Sequence, residues 1–252
     1  MAYFFVKILK IKLNLKEFVY KMKIFSISDL HLDIFNKKPM DIFGPVWHNY
    51  IDKIIEDWNE KVTDEDIVIL AGDYSWAMKL EDATKDFEFL NSLKGTKIII
   101  RGNHDYWWSS VSKVRAVLPE NTYALQNDAI KLGNYIFCGN RGWLIPEGKQ
   151  NTEENQKIYA RELIRLELSL KSAKKLQQNN EEIIFITHYP PFNNKVEPSE
   201  YTKMLEEYGV SKVVFGHLHG YVNPKMLYNE INGVRYYLTS CDAVKNQLIE
   251  IG

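Results

Sequence analysis

The sequence lacks several features that mark particular protein classes. It has only two cysteines, Cys138 and Cys241, too few for a disulfide framework or a thiolate zinc site, so we predict a reducing, cytoplasmic environment. It contains no run of 18 apolar residues, and we therefore expect no membrane-spanning helix. The formal net charge of −1 gives no broad basic surface, which argues against nucleic acid as the main partner.

What remains is an ordinary globular composition. Hydrophobic residues make up 45% and charged residues 26% of the 252 residues, close to the averages for globular proteins. We predict one domain over residues 22–252. Residues 1–21 are interpreted as an N-terminal extension, in which the alternation of "LKIKLNLK" suits a strand. The alternative is that Met22 is the functional start.

Apolar runs alternate with helical segments along the chain. The order of strand and helix signals predicts an α/β fold, with two mixed sheets packed face to face and helices outside. Asn232-Gly233 between alternating residues predicts a hairpin. The long connection Asp33–Pro45 has the length and apolar content of a lid or binding loop.

Five of the six histidines stand where a predicted strand ends. These are His31, His104, His188, His217 and His219. The ends of strands are where open α/β sheets build their sites. A single histidine is usually structural, but five in equivalent positions, four of them within two residues of Asp, Asn or another His, indicate a common site.

Spacing within these segments favours a metal site. Asp29 and His31 are two residues apart, as are His217 and His219, so each pair would face one side of an extended backbone. Asp73 follows Gly72, which permits a sharp turn. Nitrogen and oxygen donors without thiolate suit manganese, iron or zinc. The donors outnumber those that one ion needs, which favours two divalent ions sharing one carboxylate.

The order of these motifs resembles the calcineurin-like metallophosphoesterase superfamily. The five blocks are "DLH" at Asp29, "GD" at Gly72, "GNHD" at Gly102, His188, and "GHLH" at Gly216. The segments "DIFGPVWHN", "SWAM" and "GNHDYWWSS" resemble more closely a bacterial group of predicted cytosolic phosphohydrolases. The resemblance implies a four-layer α-β-β-α sandwich with a dinuclear metal centre.

The resemblance also implies a set of metal ligands. By carry-over of the motifs, Asp29, His31 and His219 would hold one ion. Asn103, His188 and His217 would hold the other. Asp73 would bridge the two ions.

This metal set predicts hydrolysis of a phosphate mono- or diester of a small molecule, with nucleotides among the candidates. A hydroxide bridging the two ions would attack phosphorus, because metal binding can lower the pKa of water to about 7. His104 is the predicted catalytic group for the leaving alkoxide. Asp105 is predicted to orient the loop or His104, with capping of a helix at Tyr106 as the alternative.

Five further residues are candidate substrate contacts. Arg141 in "GNRGW" supplies the cation that phosphate sites usually add, and Arg101 is a weaker candidate of the same kind. His48 follows the long connection. Trp76 and Trp107 belong to an aromatic cluster near the motifs. The alternative is that this cluster is part of the hydrophobic core. For all of them an ordinary structural role is the alternative.

Related functions remain as alternatives. "GDYSWA" lacks the Asp-Arg that follows this block in protein Ser/Thr phosphatases, and Trp76 stands where purple acid phosphatases have a ligand tyrosine. A nuclease or protein phosphatase with the same chemistry is therefore the second hypothesis. A non-catalytic interaction module is the third, and the complete set of predicted ligands argues against it.

Overall fold

The structure is a computed structural model that describes residues 22–33 and 38–252. The predicted N-terminal strand and the interpretation of residues 1–21 lie outside the described residues. So do residues 34–37 of the long connection.

Two sheets form the centre of the fold. The first has five strands in the order β11-β1-β2-β3-β4, and the second has six in the order β5-β6-β7-β8-β10-β9. The strands of the first sheet are β1 (Ile24–Ser26), β2 (Ile67–Leu70), β3 (Thr96–Ile100), β4 (Thr122–Leu125) and β11 (Ile249–Glu250). Those of the second are β5 (Asp128–Leu132), β6 (Tyr135–Asn140), β7 (Glu182–Thr187), β8 (Val210–Phe215), β9 (Tyr228–Ile231) and β10 (Val234–Leu238).

Helices cover the outer faces of both sheets. They are α1 (Tyr50–Lys61), α2 (Leu80–Ser92), α3 (Val111–Arg115), α4 (Glu153–Leu176), α5 (Glu200–Glu207) and α6 (Pro224–Leu227). Short 3₁₀ turns cover Met40–Phe43, Pro45–Trp47 and Gly148–Gln150. The predicted sandwich of two mixed sheets with outer helices is confirmed.

Alternation along the strands builds three apolar layers. In β2, Ile67 and Ile69 pack between the two sheets, whereas Val68 and Leu70 pack under the outer helices. Because both faces are buried, the strand is continuously apolar rather than alternating. On α4, Tyr159, Leu166 and Leu170 form the buried stripe and Leu163 borders it.

The parallel strands place their carboxyl ends at one edge. Strands β1 to β4 run parallel, as do β6, β7, β8 and β10. Ser28 pairs with Ser240 in a parallel bridge, and the Ser28 N–H donates to Thr239 O at 2.8 Å. This bridge joins the two sheets beyond β1 and β10, so the loops after both sheets meet in one place.

Most predicted elements are present, with several differences. The β9–β10 hairpin turns at Asn232 and Gly233, both at positive φ, as an Asn-Gly turn requires. The helix expected at Tyr106 is absent, since the next helix begins at Val111. Strands β4 and β5 and helix α5 were not predicted. Within the described residues, no helix combines the length and apolarity needed to cross a bilayer.

Candidate metal centre

The seven residues predicted as metal ligands converge at the carboxyl edge of the sheets. They come from the loops after β1, β2, β3, β7 and β8. Two groups of donor atoms meet there, with one aspartate between them.

The first group contains Asp29, His31 and His219. His219 Nε2 lies 3.5 Å from Asp29 Oδ1 and 3.4 Å from His31 Nε2. Their donor atoms lie within 4.8 Å of one another, close enough to share one ion. Asp29 is fully buried, while His219 is partly open to solvent.

The second group contains Asn103, His188 and His217. Asn103 Oδ1 lies 2.7 Å from His188 Nε2 and 2.8 Å from His217 Nδ1. The pair His217 and His219 therefore separates, with one ring in each group. The expectation that this pair reaches a single point is wrong.

Asp73 lies between the two groups. Its Oδ2 is 3.8 Å from His31 Nε2 and 3.4 Å from His188 Nε2. This oxygen is buried and has no hydrogen-bond partner, whereas Oδ1 accepts from the His104 N–H at 2.7 Å. A buried carboxylate oxygen without a partner is costly unless another ligand, such as a metal ion, satisfies it.

Strained backbone presents these side chains. Asp29, His31, Asp73 and His217 have φ values of 57°, 46°, 51° and 74°. Positive φ is uncommon outside glycine and clusters at functional sites. Asp29 and His31 do lie together, as expected. The expected reason is wrong, because a left-handed turn and not an extended backbone brings them together.

The site mixes neutral and charged donors. Burial lowers the pKa of His31 and of His217 to about 3, so both rings are neutral with a lone pair available. Burial opposes charge on His188, but Asp73 outweighs it and raises its pKa to about 9. Burial raises the pKa of Asp29. Imidazole nitrogens, carboxylates and one amide oxygen are donors that fit a divalent transition metal.

A further carboxylate supports the first group and was missed from the sequence. His219 Nδ1 pairs with Asp242 Oδ1 at 2.9 Å, and Asp242 Oδ2 accepts from the Gly220 N–H at 2.8 Å. Asp29 is held similarly, since Ser28 Oγ and Ser240 Oγ donate to its Oδ2. Ser240 and Asp242 follow β10, so a polar segment after a buried strand was the available signal.

Asp105 holds the loops of the site together. Its carboxylate accepts from the backbone N–H groups of Gly102, Asp73, Tyr74 and Ser75, and from the Trp107 indole. It orders the loop, as one interpretation of the sequence proposed. The alternative of a helix cap is wrong, because no helix begins at Tyr106.

The packing around Asp105 explains the glycine that precedes Asn103. A Cβ on Gly102 would lie 2.1 Å from Asp73 Oδ1 and 2.3 Å from the Asp73 nitrogen. Only glycine allows the β2 and β3 loops to approach this closely.

His104 lies beside the first group. Its ring centroid is 5.6 Å from that of His31 and 4.8 Å from that of Trp76, and its buried Nδ1 has no partner. Trp76 stacks on His31 with centroids 4.6 Å apart and 21° between planes. Trp76 Nε1 also donates to Met40 Sδ, so the described part of the long connection packs on this wall.

Two predicted substrate contacts lie elsewhere. Trp107 is 2% exposed and packs edge-on against Phe87, so the prediction that it contacts substrate is wrong: its indole belongs to the core. His48 is exposed after the turn Pro45–Trp47, and it is its neighbour Trp47 that approaches His219, at 5.8 Å between centroids.

Arg141 lies beside the second group rather than among its donors. Its carbonyl accepts from the His188 and Tyr189 N–H groups at 3.0 and 3.1 Å. Its guanidinium lies 5.0 Å from the Trp143 ring and, with Arg101, lines a small cavity.

Comparison with known proteins identifies a family and similar folds. A family model described as calcineurin-like phosphoesterase matches residues 22–221. TT1561 of Thermus thermophilus has a similar structure, with a TM-score of 0.58 at 14% identity over 91% of this chain and 98% of its own. A protein of unknown function from Aquifex aeolicus, AQ665, gives a TM-score of 0.50 at 12% identity over 91% and 96%. No curated protein matches the chain.

Proposed function

Because the chain belongs to the calcineurin-like phosphoesterase family, we propose that it is a two-metal enzyme that hydrolyses a phosphate mono- or diester of a small molecule. The observation that carries the proposal is the position of Asp73. Its unpartnered Oδ2 stands between His31 and His188, and thus between the two groups of donors.

The proposed ligands follow the two groups. Asp29, His31 and His219 would hold one divalent ion, and Asn103, His188 and His217 the other, with Asp73 shared. Manganese, iron and zinc all suit such nitrogen and oxygen donors. Ions bound there would supply an activated water and neutralise charge on the phosphate oxygens.

The roles of the surrounding residues follow from their contacts. Asp242, which accepts from the Gly220 N–H, orients His219, and Ser28 and Ser240 orient Asp29. Fixing a ligand in one rotamer reduces the entropy lost when a metal binds.

His104 is proposed to serve the leaving group. Its backbone is fixed by the hydrogen bond to Asp73, and its ring lies between Trp76 and Tyr106. Tyr106 is 50% exposed, so the side of His104 that it borders lies near the protein surface. A ring held there can give a proton or a hydrogen bond to the departing alkoxide.

Small-molecule substrates are favoured by charge and shape. The near-neutral total charge provides little long-range attraction for a polyanion. Trp76 stacks on His31 of the first group and, being half-buried, offers a flat apolar wall suited to a compact organic leaving group.

The test is a phosphoester panel with manganese, iron, zinc, cobalt and nickel added separately. p-Nitrophenyl phosphate and bis-p-nitrophenyl phosphate would separate mono- from diesterase activity. We expect hydrolysis with at least one metal and its loss in Asp73→Asn. Asp82→Asn, an exposed change on α2, is the matched control. If the metal-loaded protein hydrolyses no phosphoester, the proposal is wrong.

A further inference from the structure

A small cavity beside the metal centre is lined by three arginines. It has a volume of about 150 Å³ and is lined by Arg101, Arg141, Arg165, Glu162, Gln126 and Asn127. Whole organic ligands usually occupy pockets of about 300 Å³ or more, so this cavity suits one small group rather than a complete substrate.

The charges around the cavity are unbalanced. Glu162 is fully buried and pairs with Arg165 across 2.5 Å, and it also accepts from Asn140 Nδ2. Glu162 is the one carboxylate among the cavity-lining residues that the structure describes, so the positive charges of Arg101 and Arg141 have no negative partner there. Within the described residues, neither guanidinium makes a hydrogen bond or salt bridge to another residue, and Arg101 Nε is buried without a partner.

Two adjacent guanidinium groups repel each other unless an anion joins them. Arginine stays protonated in proteins, so this repulsion is not relieved by loss of a proton. An oxyanion would relieve it and would give Arg101 Nε the acceptor it lacks.

The cavity adjoins the second donor group. Arg101 precedes Asn103 by two residues at the end of β3, and the Arg141 carbonyl accepts from His188 N–H. The Tyr189 N–H donates to the same carbonyl, and the centroid of the Tyr189 ring lies 4.1 Å from that of His217. Arg101 shares the loop after β3 with Asn103, and the loop that carries Arg141 is hydrogen-bonded to His188, so the cavity and the metal centre lie at the same edge of the sheets.

We propose that Arg101, Arg141 and Arg165 form a second oxyanion site, which receives a second phosphate group of the substrate while the first lies at the metal centre. This inference rests on the proposed function and narrows the substrate class to molecules with two phosphate groups. A guanidinium group can donate two parallel hydrogen bonds to a phosphate. A lysine ammonium acts as a point charge and lacks this geometry.

The test compares two nucleotides that differ by one phosphate. Dissociation constants for adenosine 3′,5′-bisphosphate and adenosine 5′-monophosphate would be measured by calorimetry on manganese-loaded protein. We expect the bisphosphate to bind more tightly to the wild type. In Arg141→Gln this advantage should fall about 10- to 100-fold, the loss typical of a hydrogen bond to a charged group.

Two further variants make the result decisive. Arg101→Gln should remove the same advantage and serves if Arg141→Gln folds poorly. Arg161→Gln, an exposed arginine on the same helix as Arg165, should keep it. An equal preference in wild type and both cavity variants would overturn the proposal, as would a wild type that binds the two nucleotides equally.

Failure of the proposed function would be seen separately. Hydrolysis of p-nitrophenyl phosphate is measured on the same preparations and reports on the metal centre alone. A protein that hydrolyses nothing but keeps the arginine-dependent preference contradicts the proposed function and supports the second oxyanion site. A protein that hydrolyses p-nitrophenyl phosphate but shows no arginine-dependent preference supports the proposed function and contradicts the second oxyanion site.

Discussion

The Asp105 carboxylate accepts a hydrogen bond from the backbone N–H of Asp73 across 2.9 Å. Asp105 follows β3 and Asp73 follows β2, so this contact fixes the position of one donor loop relative to the other. None of the hydrogen bonds of Asp105 joins it to a side chain proposed to bind metal; they fix the backbone from which Asp73 and Asn103 extend. It is therefore a positioning residue.

Asp105→Asn should destabilise the protein and weaken metal binding together. The amide would turn an NH₂ group toward backbone N–H donors and leave at least one of them unsatisfied, at a cost of about 2–3 kcal/mol in free energy of unfolding. Urea unfolding of the metal-free protein measures this cost, with Asp82→Asn as control. An unchanged unfolding midpoint would show that the five hydrogen bonds contribute nothing.

Asp242→Asn should weaken metal binding without abolishing it. Asp242 holds His219 Nδ1, and the loss of such a supporting carboxylate typically costs 10- to 100-fold in metal affinity or activity. Competition with a chromogenic chelator measures the affinity. The unfolding midpoint of the metal-free protein, measured in parallel, reports separately on the lost hydrogen bond from Gly220. Wild-type affinity in Asp242→Asn would contradict the role.

The sequence predicted the residues of the site better than their geometry. Asp29 and His31 were identified because polar residues follow an apolar run, a pattern visible without coordinates. Their left-handed φ values were not visible, because such conformations depend on tertiary packing over the loop. Asp242 was missed because it lies 23 residues beyond His219 and meets it only once β10 has paired with β8.

The positions of aromatic side chains in loops were also hard to predict from the sequence. Trp76 and Trp107 both follow a metal motif, but one lies at the site and the other in the core. Loops have no periodicity to separate inward from outward side chains, unlike strands, in which apolar runs mark the buried positions. The indole N–H of Trp107 explains the difference, since it completes the donors around Asp105.

Removal of metal should lower the thermal midpoint, and the size of the fall should depend on Asp73. Ions that bind only the folded state add about 2.7 kcal/mol at 100 times their dissociation constant. For a chain of this size that corresponds to roughly 5–10 °C. Chelator should therefore destabilise the wild type strongly and Asp73→Asn weakly, because the variant loses the shared carboxylate. Equal shifts in both proteins would argue against a shared ligand.

Lys97 should give the protein a stability that rises with pH in the alkaline range. Its side chain is fully buried in β3, and its ammonium donates to the carbonyls of Leu93 and Gly95. Burial lowers its pKa from 10.5 to about 8. Between those two values the unfolded chain binds the proton and the folded protein does not. The free energy of unfolding therefore increases as pH rises through this window.

The measurement of this effect is a difference between variants, because tyrosines and other lysines also titrate at alkaline pH. Urea unfolding of wild type and Lys97→Met would be followed from about pH 7 to about pH 10.5, the window that the pKa of Lys97 sets. The stability of the wild type relative to the variant should rise from about pH 8 upward, since the buried charge is lost from the folded state only. Lys94→Met, an exposed lysine three residues away, should give a flat difference. A flat difference for Lys97→Met as well would mean that the two carbonyls stabilise the ammonium enough to cancel the cost of its burial.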